Sequence, residues 1–454
     1  MLKSSRALAT GVSSRAVSHR NFSSRKPRAS SGEGCAGQLI PPAKAISTLA
    51  KDLKMSKNRQ QQNLKGIKLK EFPLTVLTFC VAVVFGAKTA EAATLVTTTV
   101  VANGLDNPRG MTFGSDGALY VAEAGRGGPG PAIPGPELGV LLSYGSTGAV
   151  TRIQNGTQER IITGLPSLAL SPAGVPLPST TGSEGPAIGP HDIGFNQNGD
   201  AYVLTGFASD PNFLGNLGFG GVDMARLLAF SQSADGSWER RTDFTADFAT
   251  YERLNNPDGE DLVSNPYDLE VQGGNVFVVD AGANDFFRVD NGGNLSLQAV
   301  FGSRSLGGII SQSVPTSITI GSDGAYYVGE LTGFPFPEGG ARIYRVVPGQ
   351  EPEVYADGFT QINGLDFDSQ GNLYVLEYAV DSLSSSNNNL QGALIKVSPD
   401  GVRTTLISAG EGLVAPSSLT VSPDDAIYLS NYSTFAGQGE VIRVEPQTGH
   451  CPNR

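Results

Sequence analysis

Short apolar stretches that carry aromatic and β-branched residues in alternation recur along most of the chain. Six of them follow a turn rich in Gly, Asp and Asn, so that a turn and a strand form a repeating unit. The six units are 116–121, 198–203, 273–278, 323–328, 370–375 and 424–429. Alternation with a period of two is typical of a half-buried strand, and these turns contain residues that tolerate a positive φ. The pattern predicts six β-hairpins.

Each unit contains the other strands of a four-stranded sheet. A shorter strand precedes the turn and usually begins at a proline, and two strands follow the turn strand. Third strands are expected at 149–153, 342–347, 393–397 and 440–444, and fourth strands at 160–163 and 402–407. Four antiparallel strands repeated six times predict an all-β fold, the six-bladed β-propeller.

The last unit ends after its third strand, and a strand near the N-terminus is expected to complete it. The segment from Val96 to Leu105 resembles the ends of other outer strands, such as 162–165. With this strand added, the last blade reaches an ordinary length and the ring has no open edge. We therefore expect the propeller to span residues 93–454.

Two blades are longer than the others, and their additional residues are rich in Gly and Pro. These insertions are 125–144, 167–189 and 206–222. Long loops on a rigid scaffold usually carry recognition or cover a site. The alternative is that they are tolerated surface insertions.

Residues 55–92 have the pattern of a secretory signal peptide. A basic stretch after Met55 precedes an apolar run at 72–87, and Ala90-Glu91-Ala92 follows as a cleavage site. Because the run is shorter than the roughly 20 residues that span a bilayer, we expect cleavage and no stable membrane insertion. Residues 1–54 are predicted to be a non-structural extension, from an overcalled start codon or as an organelle transit peptide. The protein is expected in the periplasm or outside the cell.

Charge and composition restrict the classes of partner. The first 92 residues hold 16 of the 32 Lys and Arg but only four of the 43 Asp and Glu, so the predicted propeller is strongly acidic. An acidic surface disfavours nucleic acid. With 58 Gly, 28 Pro and 17% charged residues, the chain does not fit a helical bundle. Cys35 and Cys80 fall in the leader, so Cys451 alone remains and no internal disulfide is expected.

Propeller geometry indicates where a site would lie. The start of the first strand and the end of the second strand of every blade are expected on one face of the ring. Residues at the starts of first strands are Arg109, His191, Asp192, Tyr267, Asp268, Ser317, Asn363 and Ser417, and those at the ends of second strands are Glu123, Thr205, Asp280, Glu330, Glu377 and Asn431. A ligand-binding funnel is predicted from Arg109, His191, Asp192, Tyr267, Asp268, Asn363 and Glu377.

Four of the six second-strand ends are carboxylates. Converging carboxylates repel one another unless they are protonated, paired with a cation or bound to a metal. Oxygen ligands without cysteine favour calcium or magnesium. Glu123, Asp280 and Glu330 are therefore candidate metal ligands, with Ca²⁺ as the expected ion. The alternative is that these side chains bond to backbone N–H groups or lie in water.

His191 is the only histidine of the predicted propeller, because His19 lies in the leader and His450 in the tail. It is a candidate general base, and Glu330 is a second catalytic candidate. The alternative is a histidine that bonds to a loop carbonyl. The sequence has no G-x-S-x-G elbow, P-loop, H-E-x-x-H or complete EF-hand loop, which disfavours familiar hydrolase and nucleotide chemistry.

The residues Asn107-Pro108-Arg109-Gly110-Met111, the segment 116–125 and Gly189-Pro190-His191-Asp192-Ile193 resemble the ScyD/ScyE family of secreted bacterial propellers. The resemblance spans roughly residues 95–446 and extends to NHL-repeat and gluconolactonase-like propellers. It implies an extracytoplasmic six-bladed propeller. Some cyanobacterial members are encoded with the pathway for scytonemin, an extracellular indolic-phenolic sunscreen pigment. In lactonase-like relatives acidic and amide residues hold a catalytic metal, for which Glu123, Asp280, Glu330 and Asn363 are the nearest candidates.

Three functions remain open from the sequence, of which the third is an assembly role in a pigment or envelope complex. The first is a secreted or periplasmic binding or scaffold propeller, linked to scytonemin-type pigment biosynthesis, whose partner is a small aromatic metabolite, a glycan or an envelope protein. The second is a metal-dependent hydrolase, lactonase or lyase that uses the central funnel. The long loops are important to the first function, and Glu330 and His191 to the second.

Overall fold

The computed structural model describes residues 96–135, 140–171, 182–386 and 389–446. These residues belong to one compact unit, Lys88–Arg454. The predicted extension 1–54, the predicted signal peptide 55–92 and Cys451 lie outside the described residues. Among the residues described, no helix has the length and apolar character needed to cross a membrane.

Six antiparallel blades, each built on four strands, form the fold and confirm the predicted six-bladed β-propeller. From the axis outwards, blade 1 contains β2 (Pro108–Phe113), β3 (Leu119–Glu123), β5 (Leu141–Gln154) and β6 (Thr157–Ser171), and blade 2 contains β8 (Pro190–Phe195), β9 (Ala201–Thr205), β10 (Arg226–Gln232) and β11 (Trp238–Asp247). Blade 3 contains β12 (Pro266–Gln272), β13 (Asn275–Asp280), β14 (Asp285–Val289) and β15 (Leu295–Val300), and blade 4 contains β18 (Pro315–Ile320), β19 (Tyr326–Glu330), β20 (Ala341–Val346) and β21 (Glu353–Phe359). Blade 5 contains β22 (Ile362–Phe367), β23 (Leu373–Glu377), β24 (Ala393–Val397) and β25 (Arg403–Ile407), and blade 6 contains β26 (Ser418–Val421), β27 (Ile427–Asn431), β28 (Gly439–Pro446) and β1 (Val96–Leu105).

The remaining elements are short. They are β4 (Ala132–Pro134) and β7 (Ala187–Ile188), which extend blade 1, the hairpin of β16 (Arg304–Leu306) and β17 (Ile309–Ser311), the 3-10 helical segment Pro211–Asp223 and the helix α1 (Phe248–Asn255). Asp247 begins α1, because its side chain accepts the N–H of Thr250.

The predicted turn chemistry explains the hairpins between first and second strands. In blade 1, Gly117 has φ +73°, and the Asp116 side chain accepts the N–H of Ala118. The aromatic residue of the following strand packs between blades, as Tyr120 does with its ring centroid 4.7 Å from that of Phe195 in blade 2. Apolar clusters of this kind fill the space between neighbouring blades and form the core.

The N-terminal strand completes the last blade, as predicted. Strand β1 pairs antiparallel with β28, from Val96 opposite Pro446 to Leu105 opposite Gly439. Strand β26 of this blade in turn lies against β2 of blade 1, so the ring is continuous. The first and last described segments therefore share one sheet.

The innermost strands of neighbouring blades do not share a sheet, and polar side chains connect them. Each connection joins a side chain of one inner strand, or of the residue just before it, to a backbone group of the next. The bonds run from Leu269 N–H to Asp192 (3.0 Å), Ile318 N–H to Asp268 (2.8 Å), Thr316 hydroxyl to Ile362 O (2.6 Å), Val421 N–H to Asp366 (2.7 Å) and Ser417 hydroxyl to Pro108 O (2.9 Å). Asp192 and Asp268 thus have a structural role in the ring.

The insertions of blades 1 and 2 contain more regular structure than the loops predicted from their Gly and Pro content. Strands β5 and β6 run on together beyond the blade, so Leu141 pairs with Ser171, and β4 adds to this arm. Gly145 permits the close approach, because a Cβ built there lies 2.1 Å from the carbonyl oxygen of Gly127. The third insertion contains the 3-10 segment.

Candidate functional site

The starts of the first strands bring several predicted site residues together at one end of the central channel. We call Arg109, His191, Tyr267 and Tyr378 the channel mouth. His191 and Tyr267 have ring centroids 4.9 Å apart, and the charge of Arg109 acts on both His191 and Tyr378. These residues come from blades 1, 2, 3 and 5, so they face the axis from different sides.

His191 is a buried, neutral imidazole. Its Nδ1 lies 2.9 Å from the carbonyl oxygen of Pro266, so Nδ1 carries the hydrogen and Nε2 does not. Burial, together with the charge of Arg109, lowers the pKa of His191 to about 3. Such a weak base is a poor proton acceptor near neutral pH, and the carbonyl bond matches the structural alternative considered for this residue. Gly206 leaves room for the ring, because a Cβ there would lie 2.2 Å from His191.

Below the mouth the channel is lined by carboxyl groups. Asp192, Asp268, Glu270 and Asp366 border a cavity of about 160 Å³ that lies between the inner strands. Burial raises the pKa of each, to about 6 for Asp366, and the proximity of Asp268 raises that of Asp192 further.

The carboxylates at the ends of second strands do not meet at the axis. Each is engaged near its own blade, most often by the segment that leads into that blade. Glu123 accepts the N–H of Asp106 and a bond from Arg160, Asp280 accepts the N–H of Asn265 and the hydroxyl of Ser264, Glu330 accepts from Arg304 and Ser313, and Glu377 accepts the N–H of Thr360. Glu377 is therefore not brought to the channel mouth, although Asn363 lies on the first strand of the same blade.

The three predicted metal ligands lie on three different blades. Glu123, Asp280 and Glu330 belong to blades 1, 3 and 4, and each already accepts several hydrogen bonds. Across the described part of the chain, no group of three or more His, Cys, Asp or Glu side chains is arranged to hold a metal ion. This arrangement of the three carboxylates does not favour a calcium site. The calcium site stays a prediction.

A cavity larger than the one between the inner strands lies beside the mouth, on the face that carries the loops between second and third strands. We call it the cleft, and its volume is about 630 Å³. Its walls contain three phenylalanines, Phe213, Phe334 and Phe336, of which Phe334 is 74% exposed. Asp210 and Asp261 line it as well, and no Lys or Arg of the described chain does. Asn265 lines the cleft, and its side-chain oxygen lies close to Gly206, as does the ring of His191.

Sequence reasoning missed the aromatic residues of this face. Tyr378 comes directly after the end of β23, one residue beyond Glu377, which was the candidate at this strand end. Phe334 and Phe336 lie in a Phe-Pro-Phe-Pro sequence between β19 and β20, and such an apolar loop is a usable signal. Phe213 belongs to the insertion 206–222, which was a candidate recognition loop in which the sequence singled out no residue.

Comparison with known proteins gives likeness of fold alone. No family model and no curated protein sequence matches the chain. Solved structures that resemble it include the apo soluble aldose sugar dehydrogenase of Escherichia coli, at 14% identity and a TM-score of 0.45 over 78% of this chain and 100% of that one. The PQQ-bound aldose sugar dehydrogenase of Streptomyces coelicolor has 11% identity and a TM-score of 0.45 over 78% and 98% of the two chains. The virginiamycin B lyase of Staphylococcus aureus, in its selenomethionine-substituted form, has 12% identity and a TM-score of 0.39 over 77% and 98%. At these values the likeness transfers no residue role to this chain.

Proposed function

We propose that this chain is a binding propeller whose cleft takes a small aromatic molecule. The cleft supports the proposal best, since its volume of about 630 Å³ lies within the range of about 300 to 1,000 Å³ that is typical of small-molecule sites. Phenylalanine rings give such a ligand apolar faces for stacking or edge contact. Because the charged groups on the described walls are carboxylates alone, the ligand is neutral or cationic.

Indole and its cationic derivative tryptamine are suitable probes, and calorimetric titration measures their binding. Phe334→Ala is expected to weaken both at least fivefold, because an exposed ring that contacts the ligand is removed. Asp261→Asn is expected to weaken tryptamine more than indole. Phe219→Ala is the matched control, because Phe219 is 99% exposed and does not line the cleft. The proposal is contradicted if neither indole nor tryptamine binds. It is also contradicted if Phe219→Ala weakens binding as much as Phe334→Ala does.

Export from the cytoplasm is the second part of the proposal. The signal-peptide pattern at 55–92 supports it, and N-terminal sequencing of protein recovered from the periplasm or medium tests it. A mature chain that begins at Ala93 is the expected result. Recovery of an intact N-terminus from the cytoplasm contradicts it.

Membership of the ScyD/ScyE family, and a role beside a pigment pathway, are also proposals. The quoted residues around Arg109 and His191 support them, and an aromatic cleft suits an indolic or phenolic compound. Genes neighbouring this one test the link, because a pathway role predicts genes for aromatic metabolism beside it. The metal-dependent hydrolase remains the alternative. Elemental analysis of protein purified without chelator tests it.

A further inference from the structure

Arg109 is a buried cation at the channel mouth. Its side chain belongs to β2, and only 8% of the residue is exposed. One nitrogen, Nη2, donates to the carbonyl oxygen of Ala187 over 2.8 Å. The Nε group is buried and has no hydrogen-bond partner among the described residues. A buried guanidinium with unused donors costs free energy unless something accepts from them.

No described carboxylate forms an ion pair with Arg109. Two other arginines have such partners, Arg126 in Asp106 and Arg304 in Glu330. Asp192 and Asp268, which line the channel, accept hydrogen bonds from backbone N–H groups. Of the sequence outside the described ranges, the segment 172–181 contains no acidic residue, whereas 136–139 contains Glu137. Among the residues described, the positive charge of Arg109 is therefore uncompensated.

The surroundings of Arg109 suit a flat ligand that accepts hydrogen bonds. His191 is neutral, and its ring and that of Tyr267 offer aromatic surface. Asn363 occupies the equivalent position of blade 5, the second residue of its first strand, and is 3% exposed with an Oδ1 that has no partner among the described residues. An amide in this position can turn its N–H₂ group towards an acceptor.

We propose that the channel mouth binds a small organic monocarboxylate, held by the unpartnered Nε–H side of the Arg109 guanidinium. A planar guanidinium matches the two oxygens of a carboxylate, which accept two parallel N–H bonds. One uncompensated positive charge in a buried site balances one negative charge. A monoanion therefore suits it better than phosphate, which carries about 1.5 to 2 negative charges near neutral pH. This site is separate from the cleft, whose walls carry carboxylates.

The test is calorimetric titration of the mature protein with benzoate, acetate and inorganic phosphate at constant ionic strength. We expect one benzoate per chain, bound more tightly than acetate, and weaker or no binding of phosphate. Arg109→Gln is expected to weaken benzoate at least tenfold, and Arg109→Lys to weaken it less, because the charge remains but the paired donors are lost. Arg152→Gln is the control for net charge, since Arg152 pairs with Asp116 at the turn between β2 and β3.

Several outcomes overturn the proposal. One is no benzoate binding by the wild-type chain, and another is equal binding by the Arg109→Gln variant. Benzoate binding that appears only in Glu137→Gln also overturns it, because the counter-ion is then internal. If Arg109→Gln does not fold, the affinity of Arg109→Lys for benzoate is compared with that of the wild-type chain. Phe334→Ala separates the two sites: benzoate binding that it leaves unchanged does not come from the cleft, so each proposal can fail alone.

Discussion

At the scale of single residues, the acid or amide at the end of a second strand fixes the segment that leads into the first strand of the same blade. Glu123, Glu377 and Asn431 each accept the N–H of the residue 17 positions earlier, namely Asp106, Thr360 and Val414. Burying a carboxylate in this way is favourable only when the donors are in place. The residue type at these positions follows from the connection between blades and needs no ligand to explain it.

Glu123→Gln tests this role. Glu123 is fully buried and accepts from Arg160, Thr151 and the N–H of Asp106. The amide loses the charged bond to Arg160 and places N–H₂ where an acceptor is required. We expect the free energy of unfolding to fall by about 2 kcal/mol in urea denaturation. Glu159→Gln, at an exposed neighbouring position, is the control and should change stability by less than about 0.5 kcal/mol.

A second residue-scale prediction concerns two buried acids without partners among the described residues. All four carboxyl oxygens of Glu252 on α1 and Asp285 on β14 are buried and accept no hydrogen bond from that part of the chain. Burial, with the nearby carboxylates of Asp280 and Asp258, raises the pKa of Glu252 to about 8 and that of Asp285 to about 9. Both groups are therefore neutral at pH 7 in the folded chain and ionised in the unfolded chain.

A pKa raised by folding stabilises the folded state fully below about pH 4, and this contribution is lost progressively as the pH rises from about 4 to the folded pKa values of about 8 and 9. Each group is expected to lower the free energy of unfolding by up to about 1.4 kcal/mol per pH unit in this window. Urea denaturation between pH 5 and 9 measures the slope. Glu252→Gln should flatten it, and Glu239→Gln, at an exposed position, should not. An identical slope in wild type and Glu252→Gln contradicts the assignment.

At the scale of elements, the inner strands approach each other closely, and glycines make that approach possible. A Cβ built on Gly110 of β2 lies 1.9 Å from Asp192 Oδ1 on β8. We expect Gly110→Ala to displace the Asp192 carboxyl from Leu269 N–H and to cost about 3 kcal/mol, the upper part of the range for overpacking. Thermal unfolding measures it. Gly215→Ala, where a Cβ meets nothing within 4 Å, is the control.

The sequence predicted elements better than it predicted the site. Turn residues and strand aromatics have local signatures, so Asp116-Gly117 and Tyr120 mark blade 1 without knowledge of its neighbours. The direction of a side chain at the end of a strand depends on which face of the blade its Cβ occupies. For that reason Glu123 was expected near the axis and instead accepts from Arg160 on the fourth strand. Tyr378 was missed because its approach to Arg109 joins residues of blades 5 and 1.

At the scale of the whole molecule, closure of the ring rests on β1. No cysteine lies among the described residues, and β1 pairs only with β28 among the described strands, so this pairing holds the N-terminal strand in the sheet. Val96 and Ala102 of β1 add apolar contacts to two separate clusters of the core. Loss of β1 would expose the ladder groups of β28 as a new edge. Stability of all six blades therefore depends on one strand, Val96–Leu105.

Removal of the residues up to Asn103 is expected to lower the thermal unfolding midpoint of the propeller by the same amount with every spectroscopic probe. The reason is that an open ring loses contacts on both sides of the gap. A peptide of residues 94–103, supplied in excess, should bind the exposed edge of β28 and raise the midpoint again, as strand addition does at other sheet edges. A scrambled peptide of the same composition is the control. If the shortened chain unfolds at the wild-type midpoint, or if both peptides act equally, β1 does not close the ring by pairing. Rescue by the native peptide alone would show that register along β28, from Thr97 opposite Glu445 to Asn103 opposite Glu440, determines the closure.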